Sequence, residues 1–333
     1  MGEVDIKNLE KIGFLNVDVD PNLNLVAEIE KLKKQKNALI MAHYYQEAEI
    51  QDIADFVGDS LQLAQKGAET EADIIVLAGV HFMAETSKIL SPEKKVLIPD
   101  LKAGCSLADS CPPIEFKKFR EKYPDHIVIS YVNTTAEIKA LTDICCTSSN
   151  AVQIVESFPK EQKLIFAPDR NLGNYINSVT KRNMVVWNGA CHVHEEFSLE
   201  KILQLKKENP DAKILAHPEC EKPVLIVADF IGSTAKLLNF TKEDNSLKYI
   251  IATESGIIHQ MEKANPHKVF IPAPPKDSTC GCNNCQFMRL NTMKKLYNCL
   301  KYELPEVKMD EELRKKAEIP IRRMLDVSKK LKI

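Results

Sequence analysis

Ten cysteines stand in a chain of 333 residues whose charged N-terminal stretch lacks the apolar core of a signal peptide. Disulfides are uncommon in a reducing compartment, so this number favours metal or redox chemistry. Three of them, Cys145, Cys146 and Cys299, lie in apolar or helical surroundings without a partner at ligand spacing. We expect these three to be small buried hydrophobic residues. The others are Cys105, Cys111, Cys191, Cys220, Cys280, Cys282 and Cys285.

Local cysteine spacing indicates a metal but does not choose it. Cys280, Cys282 and Cys285 form C-x-C-x-x-C, which fits a zinc knuckle, a redox pair or the loop of an iron–sulfur cluster. Cys105 and Cys111, within AGCSLADSC, do not form a standard pair. Zinc and iron–sulfur chemistry therefore both stay open at this level.

Polar residues recur at one spacing in three parts of the chain, after apolar runs that read as strands. Each is followed 17 residues later by a hydroxyl-bearing residue in a small-residue loop, GDS, TSS or GST. A cysteine closes each part, and these cysteines lie 86 and 94 residues apart. The polar residues and their hydroxyl partners are His43 and Ser60, Tyr131 and Ser148, and His217 and Thr234; the closing cysteines are Cys105, Cys191 and Cys285.

The elements that must position these residues alternate between strand-like runs and amphipathic stretches, which is the pattern of βαβ units. Periods near 90 are too long for a solenoid. We predict an α/β fold of three quasi-equivalent three-layer α/β/α domains, with parallel sheets around a pseudo-threefold axis. Three unrelated βα units in an ordinary α/β protein are the alternative. The predicted segments are 24–107, 108–193 and 194–285, with C-terminal helices in 286–333 packing on the assembly.

Ligands of open α/β sheets bind beyond the carboxyl ends of the strands. If the three copies surround one axis, these ends converge and three cysteines share one central site. Three thiolates on a four-iron cluster leave one iron open to act as a Lewis acid, which favours catalysis over electron transfer.

Side chains two apart at a strand end share one side, so they can face one pocket. Histidine and glutamate suit proton transfer, and tyrosine and asparagine suit hydrogen bonding to carboxylates. Ser60, Ser148 and Thr234 are predicted to cap helices and also to bind anions at the helix N-termini. Taken singly, each such residue is more often structural, and the threefold recurrence is what favours a site. The strand-end pairs are His43 with Tyr45, Tyr131 with Asn133, and His217 with Glu219.

At this point the sequence resembles the quinolinate synthase family over nearly its whole length. The stretches that carry the resemblance are MAHYYQ, GDSLQLA, GVHFMAETSKILSPEKKVLIPDLKAGCSL, YVNTTAEIKA, TSSNAV, FAPDRNLG, NGACHVHEEF, AHPEC, GSTAKL and CNNCQFM. The resemblance implies three α/β domains around one cluster. It also implies a transferase of NAD biosynthesis, which condenses iminoaspartate with dihydroxyacetone phosphate and releases phosphate and water.

The resemblance also implies roles for particular residues. Cys105, Cys191 and Cys285 match the three ligands of a 4Fe-4S cluster with one open iron. The family often carries C-x-x-C-x-x-C in the last loop, and the departure here puts any regulatory disulfide in that loop in doubt. Tyr45, His194 and Glu219 would assist proton transfer. The residues implied to bind iminoaspartate or the product are His43, Ser60, Tyr131, Asn133, Ser148, His217, Glu219 and Thr234.

Single features of the sequence also occur in three other classes of protein: esterases, metal-dependent sensors and other iron–sulfur dehydratases. GDSL at 58–61 is an esterase motif, but no D-x-x-H follows near the C-terminus. A non-enzymatic iron–sulfur or zinc sensor would need a DNA-binding or partner module, and the sequence shows neither a basic helix-turn-helix nor a charged arm. The net charge of −2 also gives no general attraction to nucleic acid or membrane. A different 4Fe-4S hydroxy-acid dehydratase on the same scaffold stays open. We expect a cytoplasmic protein with small-molecule substrates, working with an enzyme that produces iminoaspartate.

The ligand assignment predicts which cysteines the iron needs. Serine is a poor substitute for a thiolate, so Cys105→Ser, Cys191→Ser and Cys285→Ser should each lose iron when purified anaerobically. Serine variants of Cys145, Cys146 and Cys299, which we expect to be buried, should keep their iron. Iron and sulfide analysis of each variant is the measurement, and a full cluster in Cys191→Ser would refute three-cysteine ligation.

Overall fold

The protein is described by a computed structural model over residues 6–277 and 284–331. Within these residues twelve strands form three parallel sheets, and each sheet has its second strand at the edge beside the first, then the third and the fourth. The prediction of an α/β protein with three repeated parallel sheets is confirmed. The strands are β1 (Ala38–His43), β2 (Phe56–Gly58), β3 (Ile74–Ala78), β4 (Lys95–Leu97), β5 (Ile127–Tyr131), β6 (Ile144–Cys146), β7 (Leu164–Ala167), β8 (Val185–Val186), β9 (Lys213–Ala216), β10 (Phe230–Ile231), β11 (Lys248–Ala252) and β12 (Val269–Pro272).

Helices connect the strands, as parallel pairing requires. In the described part of the chain no helix combines the length and the apolarity required to cross a bilayer. A short 3₁₀ helix covers Met288–Leu290. The α-helices are α1 (Ile6–Ile12), α2 (Leu25–Gln35), α3 (Ala48–Ile53), α4 (Ser60–Glu69), α5 (His81–Leu90), α6 (Ser106–Asp109), α7 (Pro113–Glu121), α8 (Ala136–Ala140), α9 (Ala151–Glu156), α10 (Arg170–Thr180), α11 (His192–Glu195), α12 (Leu199–Glu208), α13 (Lys222–Val227), α14 (Thr234–Glu243), α15 (Ile257–Ala264), α16 (Met293–Tyr302) and α17 (Glu311–Leu331).

The sequence pattern missed one strand in every repeat. In each repeat, the amphipathic stretch between the first strand and the small-residue loop ends in a short edge strand, β2, β6 or β10. An edge strand of two or three residues is too short to show the alternation of a strand. The helical pattern of the neighbouring residues therefore hides it. Gly58 of the GDSL stretch consequently ends a short strand rather than a helix.

One aspartate fixes the return of the chain to the sheet edge at the same place in each repeat. Its backbone amide donates to a carbonyl of the first strand, and its carboxylate accepts from the amide of that same strand residue. The carboxylate distances are 2.8, 2.8 and 2.7 Å. The repetition shows that the three sheets share a local hydrogen-bonding device as well as a strand order. The pairs are Asp55 with Ile40, Asp143 with Val128 and Asp229 with Ile214.

Each sheet has an apolar core, because a parallel sheet is covered by helices on its faces. All five residues of β3 are buried. In the first core, Ile40 and Val76 pack with Leu296 and Leu300 of α16. In the second, Phe116 packs with Val128 and Ile165, and in the third Ile214 packs with Ile250 and Val224.

Contacts divide the chain into two compact units. The first comprises Met1–Cys105 and Gln286–Lys315, and the second comprises Ser106–Cys285 and Lys316–Ile333. The first sheet lies in the first unit, and the other two sheets lie in the second. The division into segments 24–107, 108–193, 194–285 and 286–333 stays a prediction.

The aspartate device can be tested in the second unit with Asp143→Ala. The change leaves the Val128 amide without its side-chain acceptor, which should cost about 1–3 kcal/mol of unfolding free energy. Asp143→Asn keeps one acceptor oxygen and should cost less. Denaturant unfolding measures both, with the exposed Asp125→Ala as the control. Equal midpoints for Asp143→Ala and Asp125→Ala would show that the bond contributes nothing.

Candidate active site

A tight turn after β9 brings two site residues together. The amide of Cys220 donates to the carbonyl of His217 at 3.0 Å, and the amide of Glu219 donates to His217 Nδ1 at 3.3 Å. This turn directs the Glu219 side chain back toward the histidine, so that Oε1 lies 3.6 Å from His217 Nδ1. The expectation that residues two apart at a strand end would share one side is met at this position.

Glu219 is the centre of a buried hydrogen-bonded group in the second unit. The hydroxyl of Tyr131, at the end of β5, donates to Glu219 Oε1 at 2.6 Å. His194 Nδ1 lies 3.3 Å from Glu219 Oε2. Glu219 and Tyr131 are each 3% exposed, and His194 and His217 are each 2% exposed. The group therefore joins the ends of two sheets in a site largely closed to water.

The surroundings of Glu219 decide its ionisation. Burial alone would raise the pKa of this carboxyl, but the charges of His194 and His217 and the hydrogen bonds from His194 and Tyr131 outweigh it and lower the pKa to about 2. Nearby Asp169 goes the other way, because burial and then the charge on Glu219 raise its pKa. At neutral pH, Glu219 is thus the ionised member of this pair of carboxyl groups.

Cys191 and His194 come from one short segment. Cys191 precedes α11, and His194 follows one turn later, so that its Nδ1 lies 3.2 Å from Cys191 Sγ. The other ring nitrogen, Nε2, lies 3.0 Å from Thr253 Oγ1 beyond β11. With both nitrogens engaged, the ring is held between Thr253 on one side and Cys191 and Glu219 on the other.

A row of hydroxyls adjoins His217. Ser148 Oγ lies 3.2 Å from His217 Nε2. The next residue, Ser149, donates from its hydroxyl to Ser233 Oγ at 2.8 Å, and Thr234 beside it is 3% exposed. The structure thus brings Ser148 to the histidine, and it places Thr234 at the start of α14.

Asn133 has a buried oxygen that lacks a partner. It follows β5 by two residues, and its Oδ1 is among the few buried side-chain oxygens of the described residues without a hydrogen bond. Buried polar groups are normally satisfied, so an unpaired amide oxygen beside a strand end suits a group that a ligand completes.

The first unit holds the remaining predicted residues. The amide of Tyr45 donates to His43 Nδ1 at 3.2 Å, which repeats the turn seen at His217, and the two rings stand edge to face at 4.4 Å. His43 is 3% exposed, whereas Ser60 is half-buried at the start of α4. That these residues join the group around Glu219 stays a prediction.

The predicted helix caps are wrong by one or two residues. Asp59 caps α4 by accepting from the amides of Leu61 and Gln62, and Ser233 caps α14 by accepting from the Lys236 amide. Asn150 precedes α9, but its side chain accepts from Thr147 instead. Aspartate and asparagine compete with serine for this position. Ser60, Ser148 and Thr234 therefore do not cap these helices.

Exposure separates the described cysteines into two groups. Cys105, Cys191 and Cys285 are partly exposed, and the other five are buried. Burial raises the pKa of the five buried thiols, to about 12 for Cys111 and Cys145, and disfavours the thiolate needed for ligation. Cys280 and Cys282 lie outside the described residues. The buried cysteines are Cys111, Cys145, Cys146, Cys220 and Cys299.

Two observations suit a metal centre beside Cys191 and Cys285 in the second unit. Cys191 and Cys285 both pack against the same apolar core in the third repeat. Among the described residues, Cys191, His194 and Glu219 also place ligand atoms within 4.8 Å of one another. Partly exposed thiols beside an apolar wall fit an iron–sulfur cluster, whose ligands are thiolates.

Sequence reasoning missed three residues around the site. They follow the third strands of the second and third repeats, β7 and β11, and hold other site residues by hydrogen bonds. A comparison of the two loops could have found the acidic residues, because each of these strands ends in alanine and an acidic residue follows two positions later. The missed residues are Asp169, Thr253 and Glu254.

Known proteins with similar sequences identify the family. A family model described as quinolinate synthetase A protein matches residues 27–326. The chain belongs to the quinolinate synthase family. A quinolinate synthase of Nostoc sp. is 61% identical over 306 residues, which cover 92% of this chain and 94% of the relative. The quinolinate synthase of Synechococcus sp. is 59% identical over 318 residues, 95% of this chain and 99% of the relative.

A third relative, the quinolinate synthase of Chloroherpeton thalassium, is 59% identical over 307 residues, 92% of this chain and 95% of the relative. The resemblance inferred from the motifs is confirmed. These likenesses do not favour a different hydroxy-acid dehydratase on the same scaffold. The site is consistent with this family, because the residues gathered around Glu219 lie in three of the motifs that carry the resemblance: YVNTTAEIKA, NGACHVHEEF and AHPEC.

The geometry predicts that Tyr131 helps to keep Glu219 ionised. Tyr131→Phe removes a hydroxyl 2.6 Å from the carboxylate and should raise the pKa of Glu219. Carbon-13 NMR titration of glutamate-labelled protein measures this. The matched control is Tyr249→Phe, because Tyr249 donates to Asp244 instead. An unchanged Glu219 titration in Tyr131→Phe would contradict the assignment.

Proposed function

We propose that this protein is a quinolinate synthase of de novo NAD biosynthesis, a transferase that condenses iminoaspartate with dihydroxyacetone phosphate and releases phosphate and water. The observation that carries the proposal is the buried group of Tyr131, Glu219, His194 and His217 beside Cys191, in a chain of this family. We place the enzyme in the cytoplasm, working with an enzyme that produces iminoaspartate.

The proposed cofactor is a 4Fe-4S cluster held by Cys105, Cys191 and Cys285. Their partial exposure sets them apart from the five buried cysteines among the described residues. When bound, such a cluster supplies an open iron that acts as a Lewis acid toward a hydroxyl or carboxylate. The protein's own part is to hold the thiols and to supply proton carriers next to them.

Substrate binding is assigned to donors and unpaired groups around the carboxylate. Iminoaspartate carries two carboxylates, and His217 and Ser148 offer a paired imidazole and hydroxyl 3.2 Å apart. The unpaired oxygen of Asn133 can accept from the imine nitrogen. Thr234 begins a helix of ten residues, where backbone amides favour an anion. In the first unit, His43 and Ser60 are assigned the same task.

Glu219 is the proposed proton acceptor. It is ionised at rest, because two imidazoles and a phenol stabilise the carboxylate. It must therefore take a proton from the substrate before it can give one during loss of water. Because His194 Nδ1 lies 3.3 Å from Oε2, an imidazole adjoins the carboxylate and can share that proton. Tyr45 is the remaining candidate for proton transfer.

Burial of the group serves the same chemistry. Exposures of 2–3% for the four side chains mean that few water molecules compete for the protons. In such surroundings fixed hydrogen bonds act more strongly on developing charge than they do in water. The site is thus arranged to control proton transfer during imine formation and dehydration.

Two substitutions separate proton transfer from substrate binding. Glu219→Gln keeps the shape of the side chain and one acceptor oxygen but loses the titrating carboxylate, so kcat should fall by about 10²–10⁴ with iron content unchanged. His217→Ala should raise KM as well, because a partner for the anionic substrate is lost. Anaerobic quinolinate formation at several substrate concentrations, beside iron analysis of each variant, measures both effects.

Glu221→Gln is the matched control, since Glu221 pairs at the surface with Lys276 at 3.1 Å. It should keep the parent rate. Near-parental turnover in Glu219→Gln would remove Glu219 as the proton carrier and leave His194 or Tyr45. Absence of quinolinate from the parent protein with a full complement of iron and sulfide would overturn the proposed function itself.

A further inference from the structure

Two buried carboxyl groups hold the backbone of two proposed cluster ligands in the second unit. Asp169 Oδ2 accepts from the Cys191 amide at 3.3 Å, and Glu254 Oε1 accepts from the Cys285 amide at 3.2 Å. Both acidic residues are 0% exposed. Each one follows the terminal alanine of the third strand in its repeat by two residues.

The second oxygen of each carboxyl group binds its own loop. Asp169 Oδ1 accepts from the Leu172 amide at 2.7 Å at the start of α10. Glu254 Oε2 accepts from the Gly256 amide at 2.7 Å. Each carboxyl group therefore connects a turn that is fixed to the sheet with the amide of a cysteine that arrives from a later loop.

The loop of Cys191 is shaped for this approach. Gly189 donates from its amide to the Pro168 carbonyl at 3.1 Å and accepts from the Arg170 amide at 2.8 Å. A Cβ at position 189 would lie 2.6 Å from the Pro168 carbonyl oxygen, so only glycine allows this contact. The backbone two residues before Cys191 is thus paired on both sides of Asp169.

The loop of Cys285 has a similar second contact. The Ser255 hydroxyl, next to Glu254, donates to Asn284 Oδ1, next to Cys285. Two adjacent residues of one loop therefore hold two adjacent residues of the other. The first repeat differs, because Val80 stands at the place of Asp169 and Glu254, two residues after β3. A buried carboxyl group therefore holds the backbone amide of Cys191 and of Cys285, and the corresponding position of the first repeat has no carboxyl group.

We propose that Asp169 and Glu254 are positioning residues that fix Cys191 and Cys285 for binding the cluster. Neither side chain is assigned as a ligand or as a proton carrier. Each carboxyl group binds the backbone amide of a cysteine, and the position of that backbone sets the direction of the cysteine's own thiol. Outer-shell partners of this kind are typically worth about 10–100-fold in metal affinity. The inference rests on the proposed cluster.

Amide substitutions can release the cysteine while keeping the turn. Asp169→Asn and Glu254→Gln replace one acceptor oxygen by an amino group, which cannot accept from an N–H. The shorter bonds to Leu172 and Gly256 should retain the remaining oxygen, since they are 2.7 Å long against 3.3 and 3.2 Å. Asp143→Asn is the matched control, because that carboxylate accepts from a strand amide, that of Val128, in the same unit.

The experiment measures how fast an iron chelator strips each anaerobically purified protein, together with the unfolding midpoint of the iron-free chain. We expect Asp169→Asn and Glu254→Gln to lose iron about 10–100-fold faster than the parent and the Asp143→Asn control. Their iron-free unfolding midpoints should stay near that of the control. A general loss of structure would instead lower these midpoints in step with the iron.

Two results would overturn the inference: parental rates of iron loss in both variants, or faster loss matched by equally lowered iron-free midpoints. These outcomes differ from a failure of the proposed function. If the parent and the control themselves hold no iron and sulfide, the cluster is refuted. If they hold it and the two variants hold it equally well, only the positioning role is refuted.

Discussion

The buried carboxylate of Glu219 is the interaction on which the rest of the site depends. An ionised group at 3% exposure is tolerated only when charges and donors around it compensate for lost hydration. Tyr131 comes from the second sheet, and His194 and His217 come from the third repeat. The arrangement of two sheets is thus tied to the ionisation of one side chain, and so is the proposed route for protons.

The three repeats share the hydrogen bond that supports the sheet edge, but they differ in the polar residues near the strand ends. Asp55, Asp143 and Asp229 make one hydrogen bond in all three sheets, because each chain segment must return to the sheet edge in the same way. Residues at and just beyond the strand ends differ between the repeats. That is where histidine replaces tyrosine between repeats, and where Val80 stands in place of an acidic residue.

Much of the fold could be predicted from sequence, because the 17-residue spacing and the closing cysteines follow strand ends that hydrophobic patterns reveal. The edge strand β10 could not, since two residues carry no period. The caps failed because Asp59 and Ser60 are both good cap residues and only geometry chooses between them. Asp169 and Glu254 were missed because a lone acidic residue after a strand resembles any surface carboxylate until its burial is known.

We propose that quinolinate forms at a cluster held by this chain, beside the group around Glu219. The most direct measurement titrates iron-free protein with iron and sulfide under anaerobic conditions, and follows both cluster absorbance and quinolinate formed from iminoaspartate and dihydroxyacetone phosphate. We expect the absorbance and the quinolinate formed to rise together and to reach their limit at one four-iron cluster per chain. Quinolinate formation at the full rate by iron-free or zinc-loaded protein would contradict it.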